Sequence, residues 1–293
     1  MHQLELFSST RSNRVVNVAS IPQRSPFRYP GGKTWLIPQI RYWLASFSKK
    51  PNMLVEPFAG GGIVGLTVAF EGLVNRVLLV ELDEQVASVW QAILTGEADW
   101  LAERILNFKM TQESVAEQLS NGGTSLRELA FKTLLRNRVS HGGIMAPGAG
   151  FIKYGESGKG ISSRWYPRTL ARRIRDIGRI KDRIEFIRED GLNIIRRYAN
   201  QPDVIFFIDP PYTAAGKRAG TRLYTYNELD HDSLFAIVES IQGDFLMTYD
   251  NVEEVRAMAK RHGFKVVEIV MRNTHHIEMA ELLIGKDLSW ARK

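Results

Sequence analysis

The chain has 293 residues and a formal net charge of +7 at pH 7. It has no cysteine, which excludes disulfides, thiolate metal sites and cysteine nucleophiles. No apolar run approaches the ~18 residues of a membrane span, and the first 20 residues lack a signal-peptide core. We therefore expect a cytoplasmic protein without membrane contact. The basic balance agrees with a polyanionic partner.

Residues 1–20 are polar without a clear period and are predicted to form a flexible lead-in. The turn Arg28-Tyr-Pro-Gly-Gly-Lys33 follows, and apolar residues at helical spacing come after it. Two glycines before a helix start suit the approach of an anionic group to backbone N–H groups. Such glycine pairs are equally typical of a plain turn, so this feature is weak evidence alone.

The segment Met53-Leu-Val-Glu-Pro-Phe-Ala-Gly-Gly-Gly62 predicts a strand, a glycine loop and a helix start. Three glycines allow a ligand to approach the backbone closely. A second buried strand is predicted at 76–80, and Glu81 follows it about 20 residues beyond the loop, the spacing of a ribose-binding acid. Asp83 is the alternative, or a helix cap. These features fit a nicotinamide enzyme and a methyltransferase equally.

Residues 96–184 have a different character, with short helices followed by a stretch dense in glycine. Basic and aromatic residues, among them Lys153 and Tyr154, are interleaved with these glycines. This composition suits contacts with phosphates and bases, and the alternative is a long surface loop. The segment Pro167 to Ile187 predicts a helix with an apolar stripe and a basic face that includes Arg172 and Arg175, which favours nucleic acid.

A further strand pattern begins at 185 and ends in Asp190, before Gly191. Its position between strands makes Asp190 a candidate contact for the amine of a cofactor adenine. The same residue could cap the helix that begins at Leu192, and the two roles are compatible.

The segment Asp203-Val-Ile-Phe-Phe-Ile-Asp-Pro-Pro-Tyr212 predicts a fully buried strand that ends in a stiff turn. In open α/β sheets, ligands bind at this edge. Asp209 and the Pro210 carbonyl can together accept both hydrogens of an adenine amine, and Tyr212 offers a face on which the base stacks. Pro211 stiffens the turn.

A basic loop follows, and it could hold phosphates around a displaced nucleotide through Lys217, Arg218 and Arg222. Strands are then predicted at 245–249, 265–270 and 280–284, with the last two paired as a hairpin. Histidines at 275 and 276 lie in the connection, where we expect no metal site.

These features resemble the Dam-type (alpha group) N6-adenine-specific DNA methyltransferases over residues 25–285. The resemblance implies that Asp209, Pro210, Pro211 and Tyr212 form the catalytic motif and that S-adenosyl-L-methionine is the cofactor. It also implies a set of cofactor-binding residues: Tyr29, Lys33, Phe58, Gly60, Gly62, Glu81, Asp190 and Asp209. Gly191 departs from the family's usual phenylalanine, which leaves the stacking partner of the cofactor adenine open.

The fold implied is α/β, a Rossmann-like methyltransferase sheet with helices on both faces and an inserted, mainly helical target-recognition domain. The catalytic domain would comprise 21–95 and 185–293, and the recognition domain 96–184. Arg136, Asn137 and Arg138 resemble the start of the DNA-contacting segment.

The expected function is site-specific adenine-N6 methylation of duplex DNA by a monomer, with a restriction endonuclease as a candidate partner and no metal. Two alternatives remain open, adenine methylation of structured RNA and a catalytically dead DNA-binding regulator. A nicotinamide oxidoreductase is a more remote alternative.

Overall fold

The computed structural model describes residues 20–29, 31–121, 125–146, 149–152, 159–211, 229–272 and 278–292. Within these ranges, no helix is long and apolar enough to cross a membrane. The predicted residues Lys153, Tyr154, Tyr212, Lys217, Arg218 and Arg222, and both histidines of the last connection, lie outside the described residues.

One sheet organises the chain. Its seven strands are β1 (Met53–Glu56), β2 (Arg76–Val80), β3 (Ile184–Ile187), β4 (Val204–Ile208), β5 (Phe245–Asp250), β6 (Lys265–Arg272) and β7 (Glu278–Gly285). They lie in the order β3-β2-β1-β4-β5-β7-β6. The first five in this order are parallel, and β7 is antiparallel to both β5 and β6. The predicted closing hairpin is therefore confirmed, with β7 inserted between its neighbours.

Ten α-helices form within the described ranges. They are α1 (Ile37–Ala45), α2 (Ile63–Glu71), α3 (Glu84–Ala92), α4 (Ala98–Asn107), α5 (Gln112–Ser120), α6 (Leu126–Val139), α7 (Pro167–Arg179), α8 (Gly191–Tyr198), α9 (His231–Glu239) and α10 (Glu253–Arg261). Together with the sheet they give the predicted α/β, Rossmann-like fold.

Helices cover both faces of the sheet because its central strands are apolar on both sides. Ile205 and Phe207 of β4 belong to a cluster that includes α1, α2 and α3. Phe206 and Ile208, which point the opposite way, belong to a second cluster that includes α8, α9 and α10. All five residues of β4 are buried, so the strand at which Asp209 begins its turn is fixed from both sides.

The described part of 96–184 is mainly helical, as predicted, and it shares the first of these clusters with the sheet. Helix α6 packs on α3, and α4 packs on α7. The last pair is close, because a Cβ on Gly178 would lie 2.8 Å from the Cβ of Ala98. The helical segment therefore has a fixed position relative to the sheet. Its boundaries as a separate domain stay a prediction.

The prediction of one helix from Pro167 to Ile187 is correct up to Arg179 and wrong for residues 180–187. Helix α7 ends at Arg179, and a 3₁₀ turn at Lys181–Arg183 separates it from β3. Ile184 begins β3 and pairs with Val77 of β2. Pairing with the sheet thus outweighed the helical spacing of Ile184, which local periodicity cannot reveal.

Candidate active site

A cavity of about 610 Å³ opens at the carboxyl ends of the parallel strands, a size typical of small-molecule sites. Acids at the carboxyl ends of four neighbouring strands line it: Glu56, the last residue of β1, Glu81 after β2, Asp190 after β3 and Asp209 after β4. They meet because parallel strands end at the same edge of a sheet. The structure thus brings the three predicted acids together and adds Glu56.

The glycine loop after β1 is shaped around Tyr29. A Cβ on Gly60 would lie 2.5 Å from the Tyr29 ring, and one on Gly61 would lie 2.9 Å from the Tyr29 Cβ. Gly60 and Gly62 have φ of +47° and +60°, where side chains are strained. The Trp90 indole donates a hydrogen bond to the Gly60 carbonyl at 3.0 Å. Tyr29 and Gly62 line the cavity as predicted, together with Gly61, whereas Gly60 does not line it.

Glu81 connects the loop to β2. Its carboxylate accepts hydrogen bonds from the Gly60 N–H at 3.0 Å and from the Asp83 N–H at 2.9 Å. Burial raises the Glu81 pKa to about 7, and these backbone bonds limit the rise. Asp83 caps α3 by accepting from the backbone N–H groups of Gln85 and Val86. Asp83 thus has the capping role that the sequence left open, while Glu81 holds the glycine loop.

Asp190 and Gly191 shape the opposite wall. Asp190 Oδ1 accepts from the backbone N–H groups of Leu192 and Asn193, so this acid caps α8 while it lines the cavity. A Cβ on Gly191 would lie 2.5 Å from the Pro57 carbonyl oxygen and 2.9 Å from the Phe58 ring. The Phe58 ring therefore lies against the position where the family usually carries its phenylalanine.

Asp209 is held from behind by side chains of distant elements. Thr248 of β5 donates its hydroxyl hydrogen to Asp209 Oδ1 at 2.7 Å. The Lys33 ammonium lies 3.0 Å from the same oxygen and 3.5 Å from Glu281 Oε2 of β7. Lys33 is almost completely buried, so its ion pair with Asp209 is poorly screened. Lys33 lines the cavity as predicted, and it is bound to the candidate catalytic acid.

Two further carboxyl groups behind the turn have raised pKa values. Burial raises the pKa of Glu56 to about 8, and the charge of Asp209 adds to this, while a hydrogen bond from the Gly65 N–H at 2.7 Å opposes it. Burial raises the pKa of Glu281 to about 7, against the attraction of Lys33. Asp209 therefore lies among buried groups whose protonation changes near neutral pH, a pattern common at functional sites.

The turn after β4 presents its backbone to the same edge. Pro210 is buried, and Pro211 is half-buried and lines the cavity. Neither proline has a backbone N–H, so neither adds a donor that would compete with an amine for the carbonyl of Pro210. A carboxylate and a rigid carbonyl beside a cavity can together position an amine.

Two predicted DNA contacts have a different role. Asn137 is fully buried; its side-chain amide donates to the carbonyls of Arg28 and Gly143, and its Oδ1 accepts from the Arg28 N–H. Arg138 is also buried and donates to the Pro26 carbonyl. The prediction that these two side chains contact DNA directly is therefore corrected: they are buried and hold the segment before α1. Arg136 is half-buried, and its Nε is enclosed without a hydrogen-bond partner.

The basic face of α7 is partly neutralised within the chain. Arg175 forms ion pairs with Asp99 and Glu103 of α4, so the prediction that it contacts DNA has an intramolecular competitor. Arg172 is exposed and retains the position that the prediction requires.

Several residues at the site were missed in the sequence: Arg28, Glu56, Arg173, Thr248 and Glu281. Glu281 had a readable signal, since a lone acid in the apolar run of β7 is unusual for a buried strand. Glu56 had one as well, because it ends the apolar run of β1. Arg28, Arg173 and Thr248 had none, because their neighbours come from distant parts of the chain. Within the described residues, no group of three or more metal-ligating side chains occurs.

The strand order, the glycine loop and the acids at the strand ends define a Rossmann-like methyltransferase fold. Residues 29–125, about a third of the chain, match the family model described as D12 class N6 adenine-specific DNA methyltransferase. This match confirms the resemblance seen in the sequence and supports a methyltransferase.

No curated protein matches the chain. Among solved structures, the chain is similar to the rRNA methyltransferase aviRa from Streptomyces viridochromogenes, at 14% identity and a TM-score of 0.40, over 88% of this chain and 86% of that one. It is also similar to precorrin-6y C5,15-methyltransferase from Geobacter metallireducens GS-15, at 9% identity and a TM-score of 0.34, over 88% and 91%. Scores this low carry no information about the substrate.

Proposed function

We propose that this chain is a site-specific DNA adenine-N6 methyltransferase that uses S-adenosyl-L-methionine. The observation that carries the proposal is the position of Asp209. It ends a fully buried strand, precedes Pro210 and Pro211, and lines the same cavity as Glu81 and the glycine loop. An acid placed at that edge, next to a cofactor-sized cavity, suits the binding of a reacting amine.

The residues of the cavity fit the cofactor. Glu81 would accept hydrogen bonds from the ribose hydroxyls, and Asp190 uses only Oδ1 for its capping bonds, which leaves Oδ2 for an adenine amine. The Phe58 ring supplies an aromatic face beside Gly191, which has no side chain to do so. When bound, S-adenosyl-L-methionine supplies an electrophilic methyl group.

Asp209 and the Pro210 carbonyl would hold the target amine. The nitrogen lone pair of adenine is conjugated with the ring, so two acceptors are needed to fix the nitrogen while its lone pair points at the methyl carbon. Thr248 and Lys33 both contact Asp209 Oδ1 and so restrict rotation of the carboxylate. Transfer would form the nitrogen–carbon bond as the carbon–sulfur bond of the cofactor breaks; S-adenosylhomocysteine would leave with that electron pair, and the nitrogen would release one proton to water.

The mainly helical segment 96–184 would be the recognition domain, with duplex DNA as the partner. Arg172 on α7 is exposed and would contribute a phosphate contact. Recognition residues Lys153 and Tyr154 belong to this proposal as sequence predictions, as do Tyr212 for base stacking and Lys217, Arg218 and Arg222 for phosphates.

The test measures transfer from tritiated cofactor to duplex DNA and to structured RNA, with the modified base identified by mass spectrometry. Asp209→Ala should abolish transfer to adenine N6 in DNA while cofactor affinity stays within about tenfold, because the acid holds the target amine. Asp203→Ala, an exposed acid at the other end of the same strand, is the matched control and should retain activity.

Near wild-type turnover by Asp209→Ala would contradict the catalytic assignment. Transfer to RNA with none to duplex DNA would replace the substrate and keep the chemistry.

A further inference from the structure

Three arginines from separate elements meet beside the active-site cavity. Arg28 precedes α1, Arg138 lies in α6 and Arg173 lies in α7. Arg28 and Arg173 line the cavity, and Arg138 is buried close enough to both that their charges repel its own. We call these three residues the arginine cluster.

The arginine cluster contains no ion pair with any described carboxylate. Arg138 donates to the Pro26 carbonyl and Arg173 donates to the Ser25 carbonyl, and their Nε atoms are buried without a partner. The guanidinium of Arg28 has no hydrogen bond with the described residues, and its NH1 is buried. Arg41 and Arg256, which are also partly buried, pair instead with Glu71 and Glu268, whereas half-buried Arg136 resembles the cluster in having no described carboxylate partner.

Concentrating positive charge in this way costs free energy. Burial, followed by repulsion from neighbouring arginines, lowers the pKa of all three residues, and that of Arg138 falls to about 10. Arginine stays protonated at neutral pH even so. Buried charges in proteins are normally paired, so an anion that enters from the cavity would relieve the penalty.

We propose that Arg28 and Arg173 of the arginine cluster bind a phosphodiester group of duplex DNA at the rim of the active-site cavity, while buried Arg138 adds positive charge behind them. This inference rests on the proposed function. It adds a phosphate site beside the cavity, which would favour a polynucleotide over a free nucleoside as the substrate. Guanidinium groups suit phosphate because their planar N–H donors match its oxygens in pairs. Held there, the phosphate fixes the strand relative to Asp209, since phosphate contacts set the register of a duplex without reading its sequence.

Arg28 gives the cleanest test because its side chain makes no hydrogen bond or ion pair with the described residues. Arg28→Gln removes one charge and no described hydrogen bond, so the melting temperature should stay equal to that of the wild type or rise. Lys50→Gln removes an exposed charge at the opposite, amino-terminal edge of β1, and it is the matched control.

The experiment measures binding of a fluorescent DNA duplex by anisotropy between 50 and 200 mM salt, with cofactor binding followed by calorimetry. Loss of one phosphate contact lowers the magnitude of the log-affinity against log-salt slope by about 0.9. The wild type should therefore lose about 3.5-fold more affinity over this range than Arg28→Gln does. Cofactor affinity should be unchanged, and Lys50→Gln should behave as the wild type.

Several outcomes would overturn the inference. An unchanged salt slope in Arg28→Gln means that the cluster does not meet phosphate. Reduced cofactor affinity with an unchanged slope means that the anion is the cofactor's carboxylate. A wild type that does not bind the duplex, or that binds only RNA, also rejects a DNA phosphate site.

A second variant, Arg173→Gln, repeats the measurement from another helix. Methyl transfer does not enter this test. If the affinity of the wild type for DNA falls steeply with salt but the protein never methylates adenine, the proposed function is rejected and the phosphate site is retained.

Discussion

Replacing Glu281 by glutamine should change how stability depends on pH. Glu281 is buried in β7, and its carboxyl shares the Lys33 ammonium with Asp209. Burial raises its pKa to about 7, with Asp209 and Asp250 adding repulsion. The protonated form of Glu281 therefore predominates in the folded protein below about pH 7. Glutamine mimics that form and keeps an oxygen that can accept from Lys33.

The sign and size follow from proton linkage. A carboxyl with a pKa near 4.5 when unfolded and about 7 when folded binds more protons in the folded state between these values. The contribution of Glu281 to stability is thus most favourable below pH 4.5, and it falls as the pH rises to about 7. At about 1.4 kcal/mol per pH unit, Glu281 should cost the folded protein about 2 kcal/mol between pH 5.5 and pH 8.

Urea unfolding at the two pH values measures this effect. Titrating groups that do not interact with Glu281 contribute equally to both proteins, so the difference between wild type and Glu281→Gln reports on this carboxyl and its coupling to Lys33, Asp209 and Asp250. We expect the loss of stability from pH 5.5 to pH 8 to be about 2 kcal/mol smaller in Glu281→Gln. Glu117→Gln, which removes an exposed carboxylate of α5, is the control. Identical pH dependence in wild type and Glu281→Gln would refute the reasoning.

Three more outcomes test the site. Glu81→Ala should weaken cofactor binding by about 1–3 kcal/mol in calorimetry, because ribose hydroxyls lose their acceptor; an unchanged affinity would remove that role. Thr248→Val removes the 2.7 Å bond to Asp209 and should lower kcat about tenfold with cofactor KM constant. Gly191→Ala places a methyl 2.5 Å from a backbone oxygen and should cost about 1–3 kcal/mol on denaturation, whereas Gly150→Ala, with 3.7 Å of space, should be neutral.

The sequence by itself determined the sheet and the edge at which the site lies. Runs such as Val204–Ile208 are apolar on both faces and can only be central strands, and a polar residue after each strand marks its carboxyl end. Glu81, Asp190 and Asp209 each follow a predicted strand, and they line one cavity because parallel strands end at the same edge of a sheet. Local signals of this kind depend on residues close together in the chain.

Only the tertiary structure decided what surrounds each of these acids. Asp209 contacts Lys33 and Thr248, and the same Lys33 ammonium contacts Glu281. These contacts join elements that are far apart in sequence, and no periodicity encodes them. Arg138 is buried and holds the segment before α1, although the family resemblance had implied a DNA contact for it. A side chain's charge is a local property, whereas its partner and its exposure depend on which distant elements pack against it, and packing fixes these only when the whole chain folds.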